Sequence, residues 1–128
     1  MGTRECELTG LCEIAQKRKE EIAREYPDVF ATEKMETDET LGMEYVVVTL
    51  RKDGEVKGFE FIENASTFLT ESKAERYVDI LKRGYYLEIV VPAHTRDHVS
   101  VLRSQFRDKE LMNPVFFVYD EHGNINRV

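Results

Sequence analysis

Apolar residues first recur at helical spacing. Leu8, Leu11, Ile14 or Ala15, Ile22 and Tyr26 lie three and four apart, with Lys17, Arg18, Lys19, Glu20 and Glu21 on the outside. This predicts a first helix, ended by Pro27 because the residue before a proline avoids the helical region. Asp28 to Lys34 alternates weakly and reads as a short strand, and the polar, turn-rich stretch Glu36 to Gly42 reads as a loop. Glu44 to Arg51 (EYVVVTLR) is apolar and β-branched, and Glu55 to Glu63 (EVKGFEFIE) alternates. The Asp53-Gly54 pair between them predicts a tight hairpin, and because Val56, Phe59 and Phe61 do not share one face, either a central strand or a bulge near Gly58 is expected.

A second helix is expected from Ser72 to Arg83. Ser72 and Glu75 form a capping box, Ala74, Tyr77, Val78 and Leu81 make an apolar stripe, and Gly84 closes the helix. Tyr85 to Val91 (YYLEIVV) reads as a strand buried on both faces and stopped by Pro92. A third helix spans Thr95 to Arg107, with Val99, Leu102 and Phe106 inward. Val115 to Tyr119 is the last strong strand, and Ile125 to Val128 pairs back as an edge. The order α-β-β-β-α-β-α-β implies an α/β domain with a mixed central sheet flanked by helices. No repeat or linker divides the 128 residues, which make one domain.

Composition narrows the class. The chain is 41% hydrophobic and 34% charged, within the globular range. No apolar run approaches the roughly 20 residues of a membrane helix, and Met1 to Thr9 lacks the apolar core of a secretory signal, so a cytoplasmic protein is expected. The net charge of −7 argues against a protein that coats nucleic acid, so any such contact would be local or metal-assisted. The acids Asp28, Glu33, Glu36, Asp38, Glu39 and Glu44, opposed within their stretch only by Lys34, read as a solvated loop. The abundance of Glu and Lys over Gln hints at a thermophile. Cys6 and Cys12 fit neither a zinc ribbon nor a redox pair and read as small buried thiols.

Candidate chemistry is sparse. There is no phosphate-binding glycine loop and no nucleophile elbow. His94 and His98 lie four apart and could share a metal, with His122 or Asp97 as further ligands, though a helix start also accepts idle histidines. Tyr85, Tyr86, Phe116 and Phe117 read as core. Glu60, flanked by Phe59 and Phe61, has two readings: a solvent-facing position on the hairpin, or one of a pair of strand carboxylates with Glu44 holding Mg²⁺ or Mn²⁺.

With the α-β-β-β-α-β order and these carboxylates in view, the chain resembles the PD-(D/E)XK nuclease superfamily, the restriction-endonuclease-like fold that includes archaeal junction resolvases. YVVVTLRKDGEVKGFEFIENAS resembles the catalytic hairpin of that family. ESKAERYVDILKRGYYLEIVVP resembles the helix and strand that follow, and VFFVYDEHGNINRV a common terminal strand. The resemblance implies metal-dependent phosphodiester hydrolysis on DNA or RNA. Glu44, or Tyr45 in its place, stands at the first acidic position, and Glu60 at the second. Ile62 stands where the family has lysine, so Lys73 on the next helix would supply it. Glu13 or Glu21 would be the assisting glutamate of the first helix. In this scheme Glu44 and Glu60 bind the metal and Lys73 stabilises charge on the phosphate.

The competing class is a non-catalytic module of the same fold that binds a protein or nucleic acid, or pairs with a second copy through an edge strand. An exposed apolar patch or an open edge would favour it. A deep apolar pocket away from Glu60 would instead favour an unrelated small-molecule binder.

Overall fold

The computed structural model describes residues 3–4 and 10–128. Helix α1 (Gly10–Glu25) buries Cys12, Ile14, Ala15, Arg18 and Ile22. Leu8 lies outside the described residues. Tyr26, expected on the apolar stripe, is 54% exposed instead, because the helix stops one residue before it. Cys12 is buried but disulfide-bonded, which corrects the reading as a thiol. Cys6 also lies outside the described residues.

The strands are β1 (Thr3–Arg4), β2 (Phe30–Asp38), β3 (Met43–Lys52), β4 (Glu55–Ile62), β5 (Tyr86–Pro92), β6 (Val115–Tyr119) and β7 (Ile125–Arg127). They form one seven-stranded mixed sheet in sequence order. Strands β1 to β4 are antiparallel neighbours, β4, β5 and β6 run parallel, and β7 returns antiparallel. Helices α2 (Glu71–Lys82) and α3 (Arg96–Asp108) make the two crossovers between the parallel strands.

Alternation along the strands sorts the core into two layers. Val47, Phe61, Ile89, Val91 and Phe116 pack with Tyr77, Ile80 and Leu81 of α2 and Val99, Leu102 and Phe106 of α3. Val46, Val48, Leu50, Ile62 and Val90 pack with Ile14, Ala15 and Ile22 of α1. The sheet therefore has α1 on one face and α2 with α3 on the other. Two successive crossovers of the same hand place their helices on one side in this way.

The β3–β4 hairpin turns at Asp53 and Gly54, both at positive φ (53° and 80°), the backbone a two-residue turn of this hand requires. Leu50 pairs with Gly58 and Arg51 with Val56, so Lys57 is the extra residue of the expected bulge. Gly58 is needed for a different reason: a Cβ there would sit 2.4 Å from the Tyr86 carbonyl oxygen on β5.

Three local expectations are corrected. Strand β2 continues through Glu36 to Asp38, where a loop was expected. Glu36 is held by Arg76 and Tyr45, and the Asp38 carboxylate accepts from the backbone N–H groups of Thr40 and Leu41. The acids of this stretch are thus partly structural and not simply a solvated face. The cap of α2 is Thr70 rather than Ser72, its hydroxyl accepting from the Lys73 N–H. Tyr86 is exposed at the start of β5 rather than core.

Candidate functional site

Among the described residues, the buried charges other than Asp38 fall into two networks on opposite faces of the sheet. On the α1 face, Glu60 of β4 lies directly beside Glu88 of β5 in the parallel register. Arg18 reaches both from α1. Its Nε donates to Glu60 Oε1 at 2.7 Å, and its Nη2 to Glu60 Oε2 at 3.1 Å and Glu88 Oε2 at 3.3 Å. Its Nη1 donates to Glu21 at 2.7 Å, and the guanidinium lies 4.0 Å above the Phe117 ring. Arg18, Glu60 and Glu88 are 5%, 0% and 5% exposed.

A forked, planar guanidinium suits this place because it can satisfy two carboxylates at once while stacking on a ring. Burial opposes its charge, but Glu60 first, then Glu88 and Glu21, outweigh burial and raise its pKa. Glu88 is pushed up to about 8 by burial and by the charge of Glu60 beside it, with Arg18 pulling the other way. Two carboxyls side by side in a buried site, with one guanidinium between them, favour keeping a proton on the pair.

On the α2 face, Glu63 follows β4 and receives Lys73 Nζ at 2.7 and 2.9 Å. The buried Tyr77 hydroxyl also donates to Glu63, and Lys73 Nζ lies 3.2 Å from the centre of the Tyr45 ring. Arg76 forks onto Glu36 at 3.0 and 3.3 Å and reaches the Tyr45 hydroxyl at 2.9 Å. Burial pushes the Lys73 pKa down, with Glu63 acting against it, and burial with Glu63 raises the Tyr77 hydroxyl well above its usual value. This network ties the β2–β3 hairpin and the end of β4 to α2.

Glu44, Glu60 and Lys73, expected to converge, do not meet. Glu60 and Lys73 belong to networks on opposite faces. Glu44 shares the α1 face by alternation with Val46 and Val48, but Val48 is the residue opposite Glu60. Four residues of extended strand put Glu44 about 13 Å along from that point. Tyr45, the alternative to Glu44, faces α2 and serves as a platform for Lys73. Of the two assisting glutamates considered, Glu21 joins the Arg18 network. Glu60 is fully buried, so neither of its two expectations, solvent exposure or pairing with Glu44, describes it.

The histidines do not form a metal site either. His98 packs its ring against Phe68, and among the described residues no group of three His, Cys, Asp or Glu side chains could hold a metal ion.

Arg18, Glu63 and Glu88 went unnoticed in the sequence as site residues. Arg18 is four residues from both Ile14 and Ile22, the apolar face of α1, and that spacing was the available signal. Glu88 is a lone carboxylate within the apolar run YYLEIVV, the same signal that singled out Glu60. Comparison with family models, with curated proteins and with solved structures finds no match.

Proposed function

We propose that this chain is a restriction-endonuclease-like domain that serves as a protein-interaction module, with an internal ion-pair network where hydrolytic chemistry would sit. The order α1-β2-β3-β4-α2-β5 supports the fold assignment. The observation that carries the functional reading is Arg18: both oxygens of Glu60 accept from its guanidinium, which also holds Glu88. The nuclease reading requires Mg²⁺ or Mn²⁺ held by Glu44 and Glu60 with Lys73 nearby. The donor set does not fit that ion, because Glu60 is already neutralised by a cation built into the fold and Lys73 lies across the sheet.

The surface offered to a partner is the outer edge of β2. Among the described residues β1 pairs with Met35 and Glu36, and no described strand pairs with Phe30 to Lys34 on that side. Phe30 is 68% exposed there, and a hollow of about 550 Å³ lined by Lys19, Ala23, Val29, Phe30, Ala31, Thr32 and Glu33 runs alongside. An open edge is a template for strand addition.

A second copy fits this edge. Antiparallel pairing about Thr32 sets Phe30 opposite Lys34 and Ala31 opposite Glu33, so no charge faces its like. Sedimentation equilibrium tests this. The wild-type chain is expected to dimerise, and Thr32→Lys, which places two cations face to face across the axis, to weaken the dimer by roughly two- to fivefold. A wild-type monomer at high concentration, or a dimer indifferent to Thr32→Lys in a protein that melts normally, would remove this edge as the interface.

A further inference from the structure

Within the Arg18 network the two buried carboxylates, Glu60 and Glu88, outnumber the one guanidinium, and this has a physical consequence. Two glutamates stand side by side on adjacent strands with one arginine between them. Around Glu88 the titratable and charged groups are Glu60 on β4, Arg18 and Glu21 on α1, and Tyr86 on its own strand. Tyr26 at the end of α1 and Arg127 on β7 act on Tyr86 in turn. From β6 the neighbours are Val115, beside Glu88 in register, and Phe117, beneath the guanidinium.

We propose that Arg18, Glu60 and Glu88 form a proton-dependent latch that clamps the C-terminal half of α1 to the sheet. With one proton on the carboxylate pair, the three side chains sum to zero charge. When that proton passes from the Glu88 carboxyl to solvent, a surplus negative charge is left in a buried site. Among the described residues, the cation paired with it is Arg18, already shared with Glu60 and Glu21. A buried uncompensated charge is costly, and release of α1 from β4 and β5 admits water to it. Glu21, at the solvent margin of the network, adds a second negative charge on the moving helix and offers Arg18 a partner that leaves with it. The ion pairs from Arg18 to Glu60 and Glu88 are the ones broken on opening, so the sheet keeps both acids.

The sign follows from linkage. Glu88 has a folded-state pKa of about 8 against an ordinary 4.5. The stability it contributes is complete below the ordinary value and is lost as pH rises through the folded one. Within that window one proton is released on opening, so the opening constant of α1 rises by up to about tenfold per pH unit. Below and above it the constant is flat with respect to this group.

Hydrogen exchange of the α1 amides, corrected for the intrinsic pH dependence of exchange, tests the latch in the wild-type chain and in Glu88→Gln. The amide side chain reproduces the shape and donor of the protonated carboxyl but cannot ionise. The wild type is expected to lose α1 protection progressively from about pH 6 to pH 8 while α3 keeps its own. Glu88→Gln is expected to hold α1 protection constant over the same range. Equal pH slopes in the two proteins, or α1 protection that is flat in the wild type, would overturn the proposal. Infrared detection of a protonated carboxylic acid in the wild type at neutral pH, lost on alkalinisation, provides a check that needs no variant. Its absence at neutral pH would overturn the proposal equally.

Discussion

Arg18→Ala is expected to lower the unfolding free energy by about 3–5 kcal/mol, the usual cost of stripping the partner from a buried ion pair. Most of that cost comes from what remains. Glu60 is fully buried and would lose both of its donors from Arg18, while Glu88 would lose its cation and keep a carboxylate beside it. Phe117 would also lose the guanidinium stacked on its ring. The residual acids can escape only by taking up protons, so the deficit should shrink as pH falls and be largest at alkaline pH. Arg18→Lys should recover only part of the loss, because an ammonium is a point charge and cannot fork between two carboxylates. Denaturant unfolding at two pH values measures all three effects. A loss under about 1 kcal/mol at neutral pH would mean the network contributes no more than a surface ion pair.

The second large effect lies across the sheet. Lys73→Ala leaves Glu63 buried with, among the described residues, the Tyr77 hydroxyl as its remaining side-chain donor, and it empties the space above the Tyr45 ring. A loss of about 3–5 kcal/mol is expected, lowering the melting temperature by roughly 10–20 °C in a chain of this size. The double replacement Lys73→Met with Glu63→Gln removes both charges while keeping volume, and it should cost much less than the single one. If the double variant were no better than the single, packing rather than charge would be the reason Lys73 is there. This distinction matters for the function, because Lys73 was the residue expected to assist hydrolysis.

The sequence made the fold legible where periodicity was strong and local. Val99, Leu102 and Phe106 turn inward as their spacing demands, Asp53-Gly54 makes the turn, and Pro92 ends β5. The mixed sheet follows from a hairpin succeeded by two crossovers. Legibility failed where a polar side chain is satisfied by a residue distant in the chain. Glu36 looked like loop because its partner Arg76 is on α2, and β2 was cut short as a result. Arg18 looked like surface because it sits in the run Lys17-Arg18-Lys19-Glu20-Glu21, although only it among those residues is buried. The site was misassembled for a related reason. Glu60 and Glu63 are three apart on an extended segment, which sends them to opposite faces, and Lys73 follows Glu63. Sequence distance alone made Lys73 look like a neighbour of Glu60.

The most direct test of the proposed binding domain, with its internally neutralised site, is titration calorimetry with Mn²⁺ on the wild-type chain and on Glu60→Gln at neutral pH. No saturable heat up to millimolar metal in either protein is the predicted result, because Arg18 already occupies the oxygens of Glu60. Saturable binding by the wild type that disappears in Glu60→Gln would contradict it, and would favour a metal-binding site at the strand carboxylates instead.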